Sequence, residues 1–230
     1  MTVEFFSECG RHRAANQDAI ATWSSSENLR DGFVAVIADG VGSMLLGHEA
    51  ASLAVETSLA FLKSNMKVFR NPSEVSSAIC RALGASNQAI KELSLERVGD
   101  PYKSGACALC MVCHGQEITI GGVGDCAAFK VGEDGVSDYF VAEPSAGGSL
   151  VTNTLGAKGD QFPRLVQWTV PHKTRIGIAT DGFLDYFPKA KLLDNIGNWA
   201  NDITSVTKSI RRETLLADPH DNFTMMIAEY

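Results

Sequence analysis

The sequence predicts an α+β fold with antiparallel sheets and helices on their outer faces. Three observations carry that expectation. Strand-like stretches come in runs, not in strict alternation with helices. Two long stretches of helical period stand side by side between those runs. No internal repeat or linker divides the chain, so one unit over residues 1–230, long enough to bury a sizeable core, is expected.

The elements follow in order. Thr2 to Glu8 reads as an edge strand, and Gly10 to Asp18 as a polar turn. Ala19 to Trp23 is a short strand, closed by the Ser-rich loop at residues 24–28. Phe33 to Ala38 is an unbroken apolar run, bounded by glycines and ending in Asp39-Gly40. Such a run reads as a strand buried on both faces. From Gly47 to about Asn65 the period becomes helical, through Ala51, Ala54, Val55, Leu59 and Leu62. A second helix is expected from Asn71 to about Leu95. Asn71 suits the N-cap, Pro72 the first helical position and Glu74 the capping box.

Ser104–Val112 and Gln116–Val123 form a predicted hairpin around His114-Gly115. Ala127–Val131 and Asp138–Val141 are further strands. Residues 143–164 are rich in Gly, Ser, Asn and Pro and read as a flap. Val166–Val170 and Arg175–Thr180 are strands, Lys189–Asn195 and Asp202–Leu216 helices, and the last strand runs to Tyr230.

Composition narrows the function. Apolar content of 45% and charged content of 20% are ordinary for a globular protein. A formal charge of −7, with no run of Lys or Arg, argues against nucleic acid or an anionic membrane as a partner. The first residues lack the basic and apolar regions of a signal peptide, and no apolar run approaches the roughly 20 residues of a membrane span. A cytoplasmic location is expected, and free thiols with it. Cys107-Ala-Leu-Cys110-Met-Val-Cys113-His114 contains two CxxC spacings and a CxxCH pattern. On a strand, Cys107 and Cys113 would face one way and Cys110 the other. Ligands split across two faces cannot close on one zinc, so a structural role is expected.

The chemistry lies in three acids. Asp39 and Asp181 each end an apolar strand in Asp-Gly, and Asp221 precedes the last strand. An ionised Asp at the rim of a core is costly without a partner, and Gly40 would let backbone or ligand approach closely. Each Asp alone could be a turn or cap residue. Together they suggest carboxylates converging on hard cations, Mg²⁺ or Mn²⁺ in preference to Zn²⁺. Two such ions roughly 3.5–4 Å apart can share a hydroxide and clamp an in-line displacement at phosphorus. Arg is the side chain suited to a phosphate, and Arg13 is the candidate.

The chain resembles the metal-dependent serine/threonine phosphatases of the protein phosphatase 2C family, bacterial type, over nearly its whole length. The resemblance rests on Arg13-Ala-Ala-Asn16-Gln17-Asp18, Asp39-Gly40-Val41-Gly42, Gly47 with Glu49-Ala50-Ala51-Ser52, Gly105-Ala106-Cys107, Gly124-Asp125-Cys126, Thr154-Leu155-Gly156, Thr180-Asp181-Gly182-Phe183-Leu184-Asp185 and Asp221-Asn222, in the family's order. It implies a four-layer αββα sandwich with a two-metal site at one end. Asp39 would bridge the metals, Gly40 would lend its carbonyl, Asp181 and Asp221 would hold the first metal, and Asp18 would act through water. Asp125, Asp181 and Asp185 would form a third site, and Arg13 would bind phosphate. A metal-bridging hydroxide would then attack phosphoserine or phosphothreonine directly. The implied partner is a phosphoprotein paired with a serine/threonine kinase, and a monomer is expected. Departures from the family pattern are Gln17, Val41, Ser43, Cys126, Ala127 and a flap without an Asp-His-Ser element. The rival readings are a non-catalytic binding module on the same fold and a hydrolase of small phosphoesters.

Overall fold

In a computed structural model of the chain, the residues described are 2–26, 31–143, 152–171, 173–187 and 189–230. The strands are β1 (Val3–Glu8), β2 (Asp18–Ser24), β3 (Phe33–Gly40), β4 (Ala106–His114), β5 (Glu117–Val123), β6 (Ala127–Gly132), β7 (Ser137–Val141), β8 (Arg164–Thr169), β9 (Thr174–Ala179) and β10 (Phe223–Glu229). The helices are α1 (Gly47–Asn65), α2 (Pro72–Val98), α3 (Asp181–Tyr186), α4 (Lys189–Ile196) and α5 (Ile203–Leu216), with a 3-10 turn at Met66–Val68.

All strand pairs are antiparallel. One sheet has the order β1-β10-β9-β6-β7 and the other β2-β3-β4-β5-β8. Side-chain alternation along β3 shows how they stack. Val34, Val36 and Ala38 join a core with Ala51, Ala54 and Leu62 of α1 and Ile79 and Leu83 of α2. Phe33, Ala35 and Ile37 join a second core with Ile176 and Ile178 of β9 and Met226 of β10. A third core packs Phe183, Leu192 and Ile210 of α3–α5 on Phe223, Met225 and Ile227 of β10. Two apolar faces on each sheet therefore produce four layers, the αββα sandwich the sequence implied.

Local chemistry sets the ends. Asn71 accepts from the Glu74 backbone N–H (3.0 Å) and Glu74 Oε2 accepts from the Arg70 N–H (2.8 Å), so α2 begins where the sequence placed it. It continues past Leu95 to Val98, where Gly99 at φ 80 closes it. Asp202 caps α5 rather than joining it. The cysteines divide by face: Cys110 packs with the helical core, Cys107 and Cys113 between the sheets.

Three expectations need correction. Residues 181–186 form a short helix where the sequence showed only the end of a strand, because Asp-Gly at a strand exit also suits a helix start. The strand expected at Val166–Val170 is Arg164–Thr169, pulled back by its register on β5. Part of the expected flap is built in: Leu155 exchanges two backbone hydrogen bonds with Ala106 (2.9 and 3.1 Å). Flap residues 144–151 lie outside the described residues. Among those described, no helix is long and apolar enough to cross a membrane.

A buried cation also organises the chain. Arg175 is 1% exposed. It donates to Glu229 (2.9 Å) and to the carbonyls of Ile196 (2.9 Å), Asn198 (3.2 Å) and Asn201 (2.7 Å), and stacks 4.4 Å from the Trp199 ring. It thereby fastens the α4–α5 connection to β9.

Candidate metal centre

Strand parity brings the acids together. On β3 the odd positions face the gap between the sheets, so Asp39 ends that strand pointing into the gap. On β2, Ile20 packs in the inter-sheet core, so Asp18 faces the same gap. Asp18 and Asp39 are register partners. Asp125 sits where the chain crosses from β5 of one sheet to β6 of the other, and Asp181 opens α3 after β9. Asp39, Asp125 and Asp181 each offer a carboxylate oxygen, and those atoms lie within 4.8 Å of one another.

The other candidates surround this cluster. Asp221 accepts from Arg13 Nη2 (2.6 Å) and from the Asn222 N–H (2.8 Å). Arg13 is therefore held beside the acids by an ion pair. It also lines a cleft of about 480 Å³ with His12, Gln17, Leu46 and His48. Asp185 is exposed, one turn beyond Asp181 on α3. Gly40 packs so closely that a Cβ there would lie 2.2 Å from the Gly47 carbonyl oxygen, the close approach expected of it. His48 is an exposed helical residue whose Nδ1 is 2.9 Å from the Asn16 carbonyl.

Charge is concentrated beyond what the protein alone neutralises. Burial pushes the Asp18 carboxyl up to about 6, against the hydrogen bonds it accepts. Burial and then the neighbouring Asp181 raise Asp125 to about 6. Asp39 is raised well above the carboxylate range by burial, then by the charges of Asp18 and Asp181. Asp185, though exposed, is raised by the partial burial of its carboxyl and by the charges of Asp181 and Asp221. The Arg13 guanidinium is raised as well, chiefly by its hydrogen bond to Asp221, which holds it more firmly protonated. Asp18 Oδ1 and Asp125 Oδ1 are buried without a hydrogen-bond partner. Crowded carboxylates with orphaned buried oxygens fit hard divalent cations, which take oxygen ligands and relieve the repulsion. The donor set is all oxygen, as Mg²⁺ or Mn²⁺ prefers.

Several partners had no role in the sequence reading. Thr180 and Thr224 donate to Asp18 Oδ2 (2.9 and 2.7 Å). Asn222 accepts from the Gly10 N–H (3.2 Å), tying the turn before Arg13 to the strand after Asp221. Cys107 lies against Gly124, where a Cβ would come within 2.3 Å of Sγ, and so stands beside the residue that precedes Asp125. The threonines carried no distinguishing signal: both are β-branched polar residues at strand ends, a common placement.

Comparisons with known proteins bear on the fold and the family. A serine/threonine phosphatase from S. agalactiae superposes with a TM-score of 0.79 at 18% identity, covering 98% of each chain. Serine/threonine phosphatase Stp1 from Staphylococcus aureus gives 0.82 at 17%, covering 99% of this chain and 94% of its own. RsbX in complex with magnesium gives 0.71 at 17%, covering 99% and 94%. No protein of curated function matches by sequence alone. The family model described as Protein phosphatase 2C matches residues 8–218, most of the chain and all of the metal-centre candidates except Asp221. The chain therefore belongs to the protein phosphatase 2C family of serine/threonine phosphatases.

Proposed function

We propose that the chain is one catalytic unit that hydrolyses phosphoserine and phosphothreonine in proteins by direct attack of hydroxide on phosphorus, without a phosphoenzyme. The observation that carries this reading is the convergence of Asp39, Asp125 and Asp181 at one end of the sandwich, with Arg13 beside them. Asp39, Asp181, Asp221 and the Gly40 carbonyl are the groups that would hold two Mn²⁺ or Mg²⁺ ions. Asp18 would serve through water, and Asp125, Asp181 and Asp185 would hold a third ion. When bound, such ions supply an activated water at neutral pH and screen charge on the phosphoryl oxygens.

The chain's own residues do the rest. An arginine carries five N–H donors, and one of Arg13's is committed to Asp221. The others are available to phosphoryl oxygens entering the cleft that Arg13 lines. The Asp221 pair holds the guanidinium in place before substrate arrives, which lowers the ordering cost of binding. The apolar core beneath Asp39 keeps the acids fixed. The substrates would be phosphoproteins made by a serine/threonine kinase, met by a monomer in the cytoplasm.

The test is hydrolysis of a phosphothreonine peptide with Mn²⁺, with nucleotides as competing substrates. The reading expects release of phosphate from the peptide. Peptide hydrolysis no faster than that of an Asp39→Asn variant would overturn it, and faster turnover of nucleotides would move the substrate class to small phosphoesters.

A further inference from the structure

A directed chain of hydroxyls crosses between the sheets beneath the acids. Asp18 stands on β2 of one sheet. Thr180, just after β9, and Thr224, on β10, belong to the other. Thr180 and Thr224 are fully buried, and Asp18 is 6% exposed. Asp18 Oδ2 accepts from Thr180 Oγ1 at 2.9 Å and from Thr224 Oγ1 at 2.7 Å. Thr224 Oγ1 lies 2.8 Å from Ser7 Oγ of β1, and Asn16 Nδ2 donates to Ser7 Oγ at 2.8 Å. The Thr224 N–H donates to Thr180 Oγ1 at 3.0 Å.

A hydroxyl has one proton to give. That of Thr224 goes to Asp18, so Ser7 must donate to Thr224. That of Thr180 goes to Asp18 at 2.9 Å in preference to the Thr224 carbonyl at 3.5 Å. Asn16 can only donate to Ser7 with its amide nitrogen. Every proton in the chain therefore points toward Asp18 Oδ2. That oxygen is saturated by two short hydrogen bonds from the opposite sheet. The other oxygen, Oδ1, is buried and has no partner, and the Asp39 carboxyl lies against Asp18.

We propose that Thr180 and Thr224 are positioning residues of the metal centre: their hydroxyls clamp Asp18 Oδ2 across the sheets and leave Oδ1 to serve the cation site at Asp39. The inference rests on the metal-dependent reading above. Asp39 and Asp18 come from one sheet, whereas Asp181 and Asp221 flank strands of the other. The inter-sheet core around them is otherwise apolar and sets spacing without fixing direction. The hydroxyl clamp supplies the directional part, as outer partners of metal ligands do elsewhere.

Calorimetric titration of Mn²⁺ into the full chain tests this without recourse to activity. Thr180→Val and Thr224→Val remove each hydroxyl at nearly constant shape, and Thr180→Ser and Thr224→Ser keep it. Each Val variant is expected to weaken Mn²⁺ binding tenfold or more, and each Ser variant to stay within about twofold of the wild type. A purely structural role would lower the unfolding midpoint of Val and Ser variants alike and leave the affinity of the folded protein unchanged. That result would overturn the proposal. Should the Val variants not fold, Thr180→Cys and Thr224→Cys decide. They keep a polar side chain of similar size but only a weak S–H donor, and an unchanged Mn²⁺ affinity would again overturn the clamp. A wild-type chain that binds no Mn²⁺ would overturn the metal-dependent reading itself, whereas normal wild-type binding with unaffected variants would sink the clamp alone.

Discussion

Raising the pH of the metal-free protein should destabilise it. Asp18 and Asp125 both have carboxyls raised from 3.8 to about 6, chiefly by burial. A raised carboxyl means that the folded chain binds a proton more tightly than the unfolded chain does. Its stabilising contribution is complete below about pH 4 and disappears as the pH rises through 6. The full change for one such group is about 3 kcal/mol, at 1.36 kcal/mol per pH unit. Between pH 5 and pH 7.5 the linkage relation assigns about 1.4 kcal/mol of it to Asp18. Asp125 adds a change of the same order, and Asp39 moves in the same direction. Glu143 and Asp202 are shifted down, so their pH-dependent contributions fall below this window. Urea unfolding in a chelator should therefore give a lower stability at pH 7.5 than at pH 5, by roughly 1.5–3 kcal/mol. Saturating Mn²⁺ should reverse the difference, because cation binding to the ionised acids stabilises the folded state. Stability that rises from pH 5 to pH 7.5 in chelator would refute the reasoning that these acids lack neutralising partners in the protein.

Other perturbations follow from single contacts. Gly124→Ala places a side chain at φ 82 and a Cβ 2.3 Å from Cys107 Sγ; thermal unfolding should show a loss of about 2 kcal/mol or more, with weakened Mn²⁺ binding in calorimetry because Asp125 is the next residue. Arg175→Met strips donors from three carbonyls and Glu229 while keeping the aliphatic volume; urea unfolding should register a loss of about 3 kcal/mol, with Mn²⁺ affinity unchanged. Arg13→Lys keeps the charge and loses the fork; KM for a phosphopeptide should rise roughly tenfold in steady-state kinetics, a loss of about 1.4 kcal/mol.

Much of the fold was legible because its signals are local. The Phe33–Ala38 run, the Asn71-Pro72 helix start and the Cys107/Cys110/Cys113 alternation depend on periods and caps within a few residues. The assignment of strands to two sheets does not. Nothing local says that β10 inserts between β1 and β9, although β1 and β10 stand at opposite ends of the chain; that follows from which apolar faces can be buried together. At the site, the acids were visible as exceptions at the ends of apolar strands. Their division of labour was not. Asp39, Asp125 and Asp181 form the tight cluster, whereas Asp221 is engaged by Arg13 and Asp18 by two hydroxyls. Thr180 and Thr224 read as ordinary strand residues, because β-branched polar side chains are common there. Only the crossing of the sheets makes them partners of Asp18.

The central claim is that the acids around Asp39 form a metal centre. Anomalous diffraction from a crystal of the chain soaked in Mn²⁺ tests it most directly. The account predicts two strong peaks flanking Asp39, contacted by Asp181 and Asp221, with the ordered water of one of them near Asp18 Oδ1. A soaked crystal with no anomalous peak at Asp39 would contradict it.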